Sequence, residues 1–232
     1  MRTNEIPEIR ALALFADLAE PHFETLMRGA YLQNFPPQID LIREGDPADF
    51  LHIVVDGSVE LYASWNGRET TMATVRPISS FILAAIIKDG PYLMSARTLE
   101  KTRIILLPAA DVREVFGFDN AFAQAIVTEL AHCYRSVVKS SKDLKLRTSV
   151  ERLANYLLRQ KLNAGDAAEF SLMIDKRRLA SYLGMTAENL SRSIKTLRAY
   201  GVEIEGKIVR IPDAAGVHSL AKPNPLIDDP SS

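Results

Sequence analysis

The sequence is short of cysteine: Cys133 stands alone. One thiol cannot close an internal disulfide, and it cannot supply a multi-cysteine metal site within one chain. Long apolar runs are missing too. No stretch approaches the ~20 apolar residues that a membrane-spanning helix needs. In "MRTNEIPEIRALALF", Glu5 and Glu8 fall where a signal peptide would carry its apolar core. A cytoplasmic protein that engages no membrane is expected. The sequence also lacks the His/Glu spacing of a metalloenzyme, a Walker loop and a nucleophile elbow, so it is not expected to be an enzyme. Net charge is nearly absent, at −1 over 232 residues, but the balance is uneven along the chain. Residues 135–210 hold 16 Lys/Arg against 8 Asp/Glu, and the remainder holds 12 against 21. A basic module on an acidic body points to a polyanion partner for that module alone, although surface charge also segregates by chance.

What is present divides into three parts. Residues 8–30 read as a short helical lead-in. From about 31 to 108 the pattern is β. In "FLHIVVDGSVELYASWNGRETTMATV" (50–75), Leu51, Ile53 and Val55 alternate, Asp56-Gly57 turns, Val59 and Leu61 alternate again, and Asn66-Gly67 turns a second time. Such dipeptides between alternating segments mark hairpins, because the turns need positive φ. Gly45, Gly90 and Pro91 punctuate further turns, and "RIILLP" (103–108) reads as the last strand. Many short strands joined by hairpins imply an antiparallel barrel or jelly roll.

Proline and glycine are absent between 119 and 146. There Ala123, Ile126, Leu130, Cys133, Val137 and Leu144 fall on alternating steps of three and four, broken at Ser140. This heptad seam, with Arg135, Lys139 and Lys142 nearby, favours a dimer helix over one packed on its own barrel. "SVERLANYLLRQ" (149–160) is a second amphipathic helix, and "FSLMI" (170–174) a short strand. Asp175 caps "KRRLASYLG", which Gly184 ends, and Thr186 caps "AENLSRSIKTL" (187–197). Helix, short glycine turn and helix make a helix-turn-helix, and "VEIEGKIVRI" (202–211) supplies a wing. Residues 213–232, with Pro223, Pro225 and Pro230 among small and polar residues, read as a flexible tail.

Within the second helix of that motif, Leu190, Ile194 and Leu197 form one apolar face. Glu188, Ser191 and Arg192 share another. An exposed Glu–Arg pair is often mere helix decoration. In a winged helix-turn-helix, however, this face enters the major groove of double-stranded DNA. There a carboxylate accepts from cytosine N4, and Arg reaches guanine O6 and N7. Thr186 and Asn189 lie at the same end, and Lys176, Arg177 and Lys195 are placed for phosphates.

Over about residues 10–211 the chain resembles the bacterial cyclic-AMP receptor and fumarate-nitrate regulator (Crp/Fnr) transcription factors. "REGDPADFLHIVVDGSVELY" is similar to that family's double-stranded β-helix, and "LASYLGMTAENLSRSIKTLRAYGVEIEGKIVRI" to its DNA-binding motif. The resemblance implies an α+β chain in four parts. A cyclic-nucleotide-binding-like β jelly roll spans 1–118, a dimerisation helix and hinge 119–147, a winged helix-turn-helix 148–212, and a tail 213–232. It also implies a homodimer on a palindrome, with RNA polymerase as a partner. The spelling Glu188-x-x-Ser191-Arg192 is closer to the fumarate-nitrate branch, which reads TTG…CAA half-sites.

The resemblance leaves the effector open. The cyclic-AMP branch uses a Gly-Glu pair and an Arg-Ser-Ala run. In "ISSFILAAIIKDGPYLMSARTL" (78–99) the first is missing and the second is Met94-Ser95-Ala96. The adenine-contacting Thr-Ser pair aligns with Val137-Val138. A buried phosphate without a charge partner is unfavourable, so a cyclic nucleotide is the alternative rather than the leading effector. Arg97 is close enough to replace the lost arginine only if its strand turns it inward. The iron–sulfur branch needs four cysteines, which one chain with Cys133 alone cannot supply. Similarity to the nitric-oxide-responsive denitrification regulators implies an apolar pocket for haem. Phe81, Ile82, Leu83, Ile86 and Ile87 form an apolar wall that suits a porphyrin, the effector pocket as a whole is expected at Phe81, Ile82, Met94, Ser95 and Val137, and His22, His52 and His132 are the axial-ligand candidates, beside Cys133. The same residues also suit an ordinary packed core. An effector-free or otherwise gated regulator and a ligand-binding module without DNA function are the remaining alternatives.

Overall fold

Strand formation in the first half follows from the alternation and the two turn dipeptides. The computed structural model describes residues 6–229, which form two compact units, one through Cys133 and one from Tyr134. In the first unit, α1 (Ile6–Arg10) and α2 (Glu20–Gly29) precede eight strands. These are β1 (Tyr31–Phe35), β2 (Asp40–Ile42), β3 (Phe50–Asp56), β4 (Val59–Trp65), β5 (Arg68–Val75), β6 (Ser79–Phe81), β7 (Ser95–Thr98) and β8 (Thr102–Pro108). They form two antiparallel sheets, β1-β8-β3-β6 and β2-β7-β4-β5, as a jelly roll requires. Asn66 and Gly67 both take positive φ (48° and 73°), which matches the twist of the β4–β5 hairpin. Gly57 (φ 83°) turns β3 into β4. A Cβ there would lie 2.5 Å from the Lys101 carbonyl, so no other residue fits.

The sequence reading differs here in three places. The single lead-in helix is two short helices, because residues 11–19 turn between them. The run after β6 folds as α3 (Leu83–Lys88) instead of continuing the sheet. A separate helix, α4 (Ala109–Phe118), precedes the long one, α5 (Asn120–Leu146). The first turn of α5 is fixed by Asp119, which accepts from the Phe122 amide (2.9 Å), the Ala19 amide (3.1 Å) and His22 Nδ1 (2.8 Å). The His22 hydrogen bond, followed by the Phe122 amide, holds the Asp119 carboxyl down at about 2. Phe122 then stacks on Phe15, which meets Phe23 edge-on, and the core closes around Leu26, Leu51, Ile104, Ile105 and Leu107. Of the α5 seam, only the start is covered by this chain. Ile126 is fully buried, whereas Cys133 is exposed, Val137 is 66% exposed and Leu144 47%.

In the second unit α5 ends, and α6 (Ser149–Asn163) begins with a Thr148/Glu151 capping box. β9 (Glu169–Ser171), α7 (Lys176–Tyr182), α8 (Ala187–Arg198), β10 (Glu203–Glu205) and β11 (Ile208–Arg210) follow. The wing hairpin β10–β11 gains β9 as a third strand, which is shorter than the 170–174 span expected. Its core is Leu153, Leu157, Leu179, Leu190, Leu197, Val202, Val209 and Ile211.

The flexible tail expected over 213–232 is corrected for the described residues. They fold into α9 (Ala215–Ala221) and α10 (Pro225–Asp228). Val217 and Ala221, one turn apart, bury against the second core, and Asn155 Nδ2 donates to the Ala221 carbonyl at 2.7 Å. Pro223 and Pro225 fall after that helix and do not interrupt it.

Candidate nucleic-acid interface

α7, its turn and α8 place the DNA-facing residues named from sequence. Asp175 caps α7 by accepting from the Arg178 amide (2.9 Å), and Lys176 and Arg177 are exposed on its first turn. Gly184 turns the chain with φ 59°. Thr186 caps α8 through the Asn189 amide (3.2 Å), which occupies its hydroxyl oxygen as an acceptor. Leu190, Ile194 and Leu197 are buried beneath α8 together with Ser193. Glu188, Ser191, Arg192 and Lys195 are therefore exposed on the opposite side, with Asn189 half-buried at its edge. Glu188 and Arg192 lie 3.6 Å apart, with side chains 86% and 74% exposed. An exposed pair of this kind contributes about 0.3–0.5 kcal/mol, so either partner can leave it for a base edge. Ser191 Oγ donates to the Ala187 carbonyl (3.0 Å) and keeps its oxygen as an acceptor. In the wing, Arg210 is committed to Glu169 (2.6 Å) and Glu205 (3.1 Å), which raise its pKa further.

The sequence reading missed Arg152. It is buried on α6 and has only carbonyl partners in the described structure: Leu183 (2.9 Å) and Gly184 (3.4 Å) in the helix-turn-helix turn, and Arg147 (2.8 Å) and Leu144 (3.5 Å) at the end of α5. A Cβ on Gly184 would also meet the Leu144 side chain at 2.5 Å. The reading motif and the last turn of α5 are thus in direct contact. The only sequence signal was a charge beside Leu153 on the buried side of an amphipathic helix.

The effector residues are placed as follows. Phe81 is buried, its ring 5.0 Å from that of His52. Ile82 takes a left-handed backbone (φ 59°) ahead of α3, and Met94 packs on the core edge. Ser95 Oγ accepts from the Glu44 amide (3.0 Å). Arg97 pairs with Glu60 (2.8 Å) and Glu69 (3.2 Å) and covers the Tyr62 ring at 4.3 Å, while Ala96 beside it is fully buried. Arg97 therefore lies with Glu60 on the face of its sheet opposite to Ala96 and Leu61. A cavity of about 420 Å³ opens elsewhere, between Pro47, Asp49, Gly90, Pro91, Pro108 and Arg113.

The three histidines do not share a site. His22 is held by Asp119, and His132 is exposed on α5. His52 is buried, and its Nδ1 finds no hydrogen-bond partner. Burial pushes its pKa down to about 4, so the ring is neutral at physiological pH. Among the described residues no group of three or more His, Cys, Asp or Glu is arranged to hold a metal ion. None of the described helices is long and apolar enough to cross a membrane.

Residues 32–117 match the cyclic nucleotide-binding domain family, and residues 151–220 match the Crp-like helix-turn-helix domain family. The chain belongs to the Crp/Fnr family of transcription regulators. A CRP-like cAMP-activated global transcriptional regulator of Mycobacterium tuberculosis is 24% identical over 78% of this chain and 84% of its own length. The transcriptional activator FnrA of Stutzerimonas stutzeri is 24% identical over 78% of this chain and 76% of its own. A Crp/Fnr-family structure from Eubacterium rectale shares the fold, with TM-score 0.76, 18% identity, and coverage of 91% of this chain and 99% of that one. These Crp/Fnr relatives are transcription regulators, and this chain is a DNA-binding regulator with an effector-binding domain.

Proposed function

We propose that the protein acts as a homodimer that reads a TTG…CAA-type palindrome and is gated by an effector held in its N-terminal domain. Residues 1–118 serve as the sensing domain, 119–147 as dimerisation helix and hinge, and 148–212 as the DNA-binding domain. RNA polymerase is the partner at the promoter. The observation that carries this reading is the exposed Glu188/Ser191/Arg192 face of α8, backed by buried Leu190, Ile194 and Leu197. The uncovered seam residues Cys133 and Val137 support the dimer. Gating is a population shift: the effector changes how two α5 helices pack, and the contact of Leu144 and Arg152 with the turn at Gly184 carries the change to α8.

Arg192→Ala should cost about 1–3 kcal/mol at one base position and relax specificity there alone. Lys176→Ala should weaken binding to all sequences alike and flatten the salt slope. Titrations against single-base variants of the palindrome, at several salt concentrations, separate the two. A uniform loss from Arg192→Ala would make it a phosphate contact, and no loss with added salt or from either variant would favour a ligand-binding module without DNA function.

For the effector, the engagement of Arg97 by Glu60 speaks against a cyclic phosphate in the roll. Haem would be held through His52, the one of the three rings that is buried with an Nδ1 lacking a hydrogen-bond partner, packed 5.0 Å from Phe81, whereas His22 is taken by Asp119 and His132 is exposed. Bound haem would supply an iron that takes nitric oxide. The expected result is a Soret band in haem-supplemented protein that shifts with nitric oxide and is lost in His52→Ala. A spectrum without that band removes haem and leaves the DNA reading untouched.

A further inference from the structure

Residues 223–229 hold a position that apolar packing does not explain. α10 is a single turn with no buried residue, Leu226 is 64% exposed, and the second core takes nothing from this segment. Polar bonds hold it instead. Asp228 accepts from Arg147 Nη1 (2.8 Å) and Nη2 (2.5 Å), from Arg159 Nη1 (2.7 Å) and from the Asn224 amide (2.7 Å). Arg147 also bonds Asp143, one turn back on α5, at 2.8 Å. Lys139, further up α5, donates to the Asp229 carbonyl at 2.7 Å. Arg147 and Thr148 are the two residues that join α5 to α6. One carboxylate thus ties that junction to the body of α6 through Arg159. The Arg147 and Asp228 side chains are only 8% and 12% exposed. A largely buried ion pair adds little net stability, because desolvation offsets the attraction, but it fixes geometry.

We infer that residues 223–229 are a clasp that sets the angle between α5 and α6, with Asp228 as its catch on the Arg147–Thr148 junction. Because the clasp lies outside the core, opening it loosens the junction, which Arg152 still holds through the Leu144 and Arg147 carbonyls, and leaves the winged-helix unit folded. The consequence for DNA rests on the dimer reading proposed above. In a dimer each junction sets where one reading helix stands, so a loose junction blurs the spacing between the two. Binding to paired half-sites then suffers, and binding to a single half-site does not.

The test is Asp228→Asn in the full chain, followed by hydrogen exchange. Amides at 146–148 should exchange about tenfold faster, while those of Leu153–Leu157 and of α8 keep their protection. Leu226→Ala, on the same turn but exposed, should behave as wild type. Arg159→Gln, which keeps the Arg147 pair, should fall between the two. Unchanged exchange at 146–148 overturns the clasp. Faster exchange throughout α6 and α8 also overturns it, since Asp228 would then belong to global stability. On DNA, the preference for a duplex with two TTG…CAA half-sites over one with a single half-site should fall about tenfold, with the single-site affinity constant. A faster junction with an undiminished preference overturns the link to DNA reading. If wild type binds neither duplex, the DNA reading fails, and the exchange result still decides the clasp.

Discussion

Val137→Glu in the full chain is expected to leave each protomer folded, yet to lower affinity for a two-half-site duplex by at least about a hundredfold. The separation arises because Val137 is 66% exposed in the isolated chain and touches neither hydrophobic core. Exposed substitutions of this kind usually change stability by less than about 0.5 kcal/mol. Across a symmetric helix pair the same position meets its own copy, so two glutamates are brought together in a partly dehydrated seam. Like charges so placed cost several kcal/mol, and about 1.4 kcal/mol is a factor of ten in affinity. Sedimentation should report monomer where wild type reports dimer, with an unchanged circular dichroism spectrum. A Val137→Glu monomer that still binds the palindrome at wild-type affinity would contradict dimerisation through α5.

Arg152→Met is expected to destabilise the second unit by roughly 3 kcal/mol, because it strands carbonyls that no water reaches easily. The guanidinium is buried and makes its two best bonds to Arg147 and Leu183, at 2.8 and 2.9 Å. Methionine fills much of the volume but supplies no donor. Lysine keeps the charge and concentrates it at one point, so it cannot reach both the α5 end and the helix-turn-helix turn at once. Arg152→Lys should recover only part of the loss. Urea unfolding followed by circular dichroism checks the magnitude. A loss below about 1 kcal/mol would mean that the carbonyls find other donors.

Legibility in the sequence was uneven, for physical reasons that can be traced to particular residues. The Asn66-Gly67 hairpin and the ends of α8 were readable because their turn and cap residues act within a few positions. α5 was readable from the absence of helix breakers. Arg97 was not, because its side of the sheet depends on register: it stands opposite Glu60, with Ala96 opposite Leu61. α3 was missed because the short apolar run Ile82–Ile87 carries no period that separates strand from helix. Arg152 carries no pairing signal, since its partners are backbone carbonyls, two of them about thirty residues along the chain, and a carbonyl is offered by every residue type. The 213–229 segment was misjudged from its overall composition, which hid the Val217/Ala221 pair and gave no hint that Asp228 would meet Arg147 and Arg159.

The most direct measurement is the affinity of the full chain for two duplexes that differ only in half-site spacing. One carries TTG…CAA half-sites about one helical turn apart, and the other has about five further base pairs, half a turn, inserted between them. A two-fold dimer reading one face of DNA predicts that the insertion lowers affinity to the level of a single half-site. Equal affinity for the two duplexes would contradict a symmetric dimer that reads through paired α8 helices.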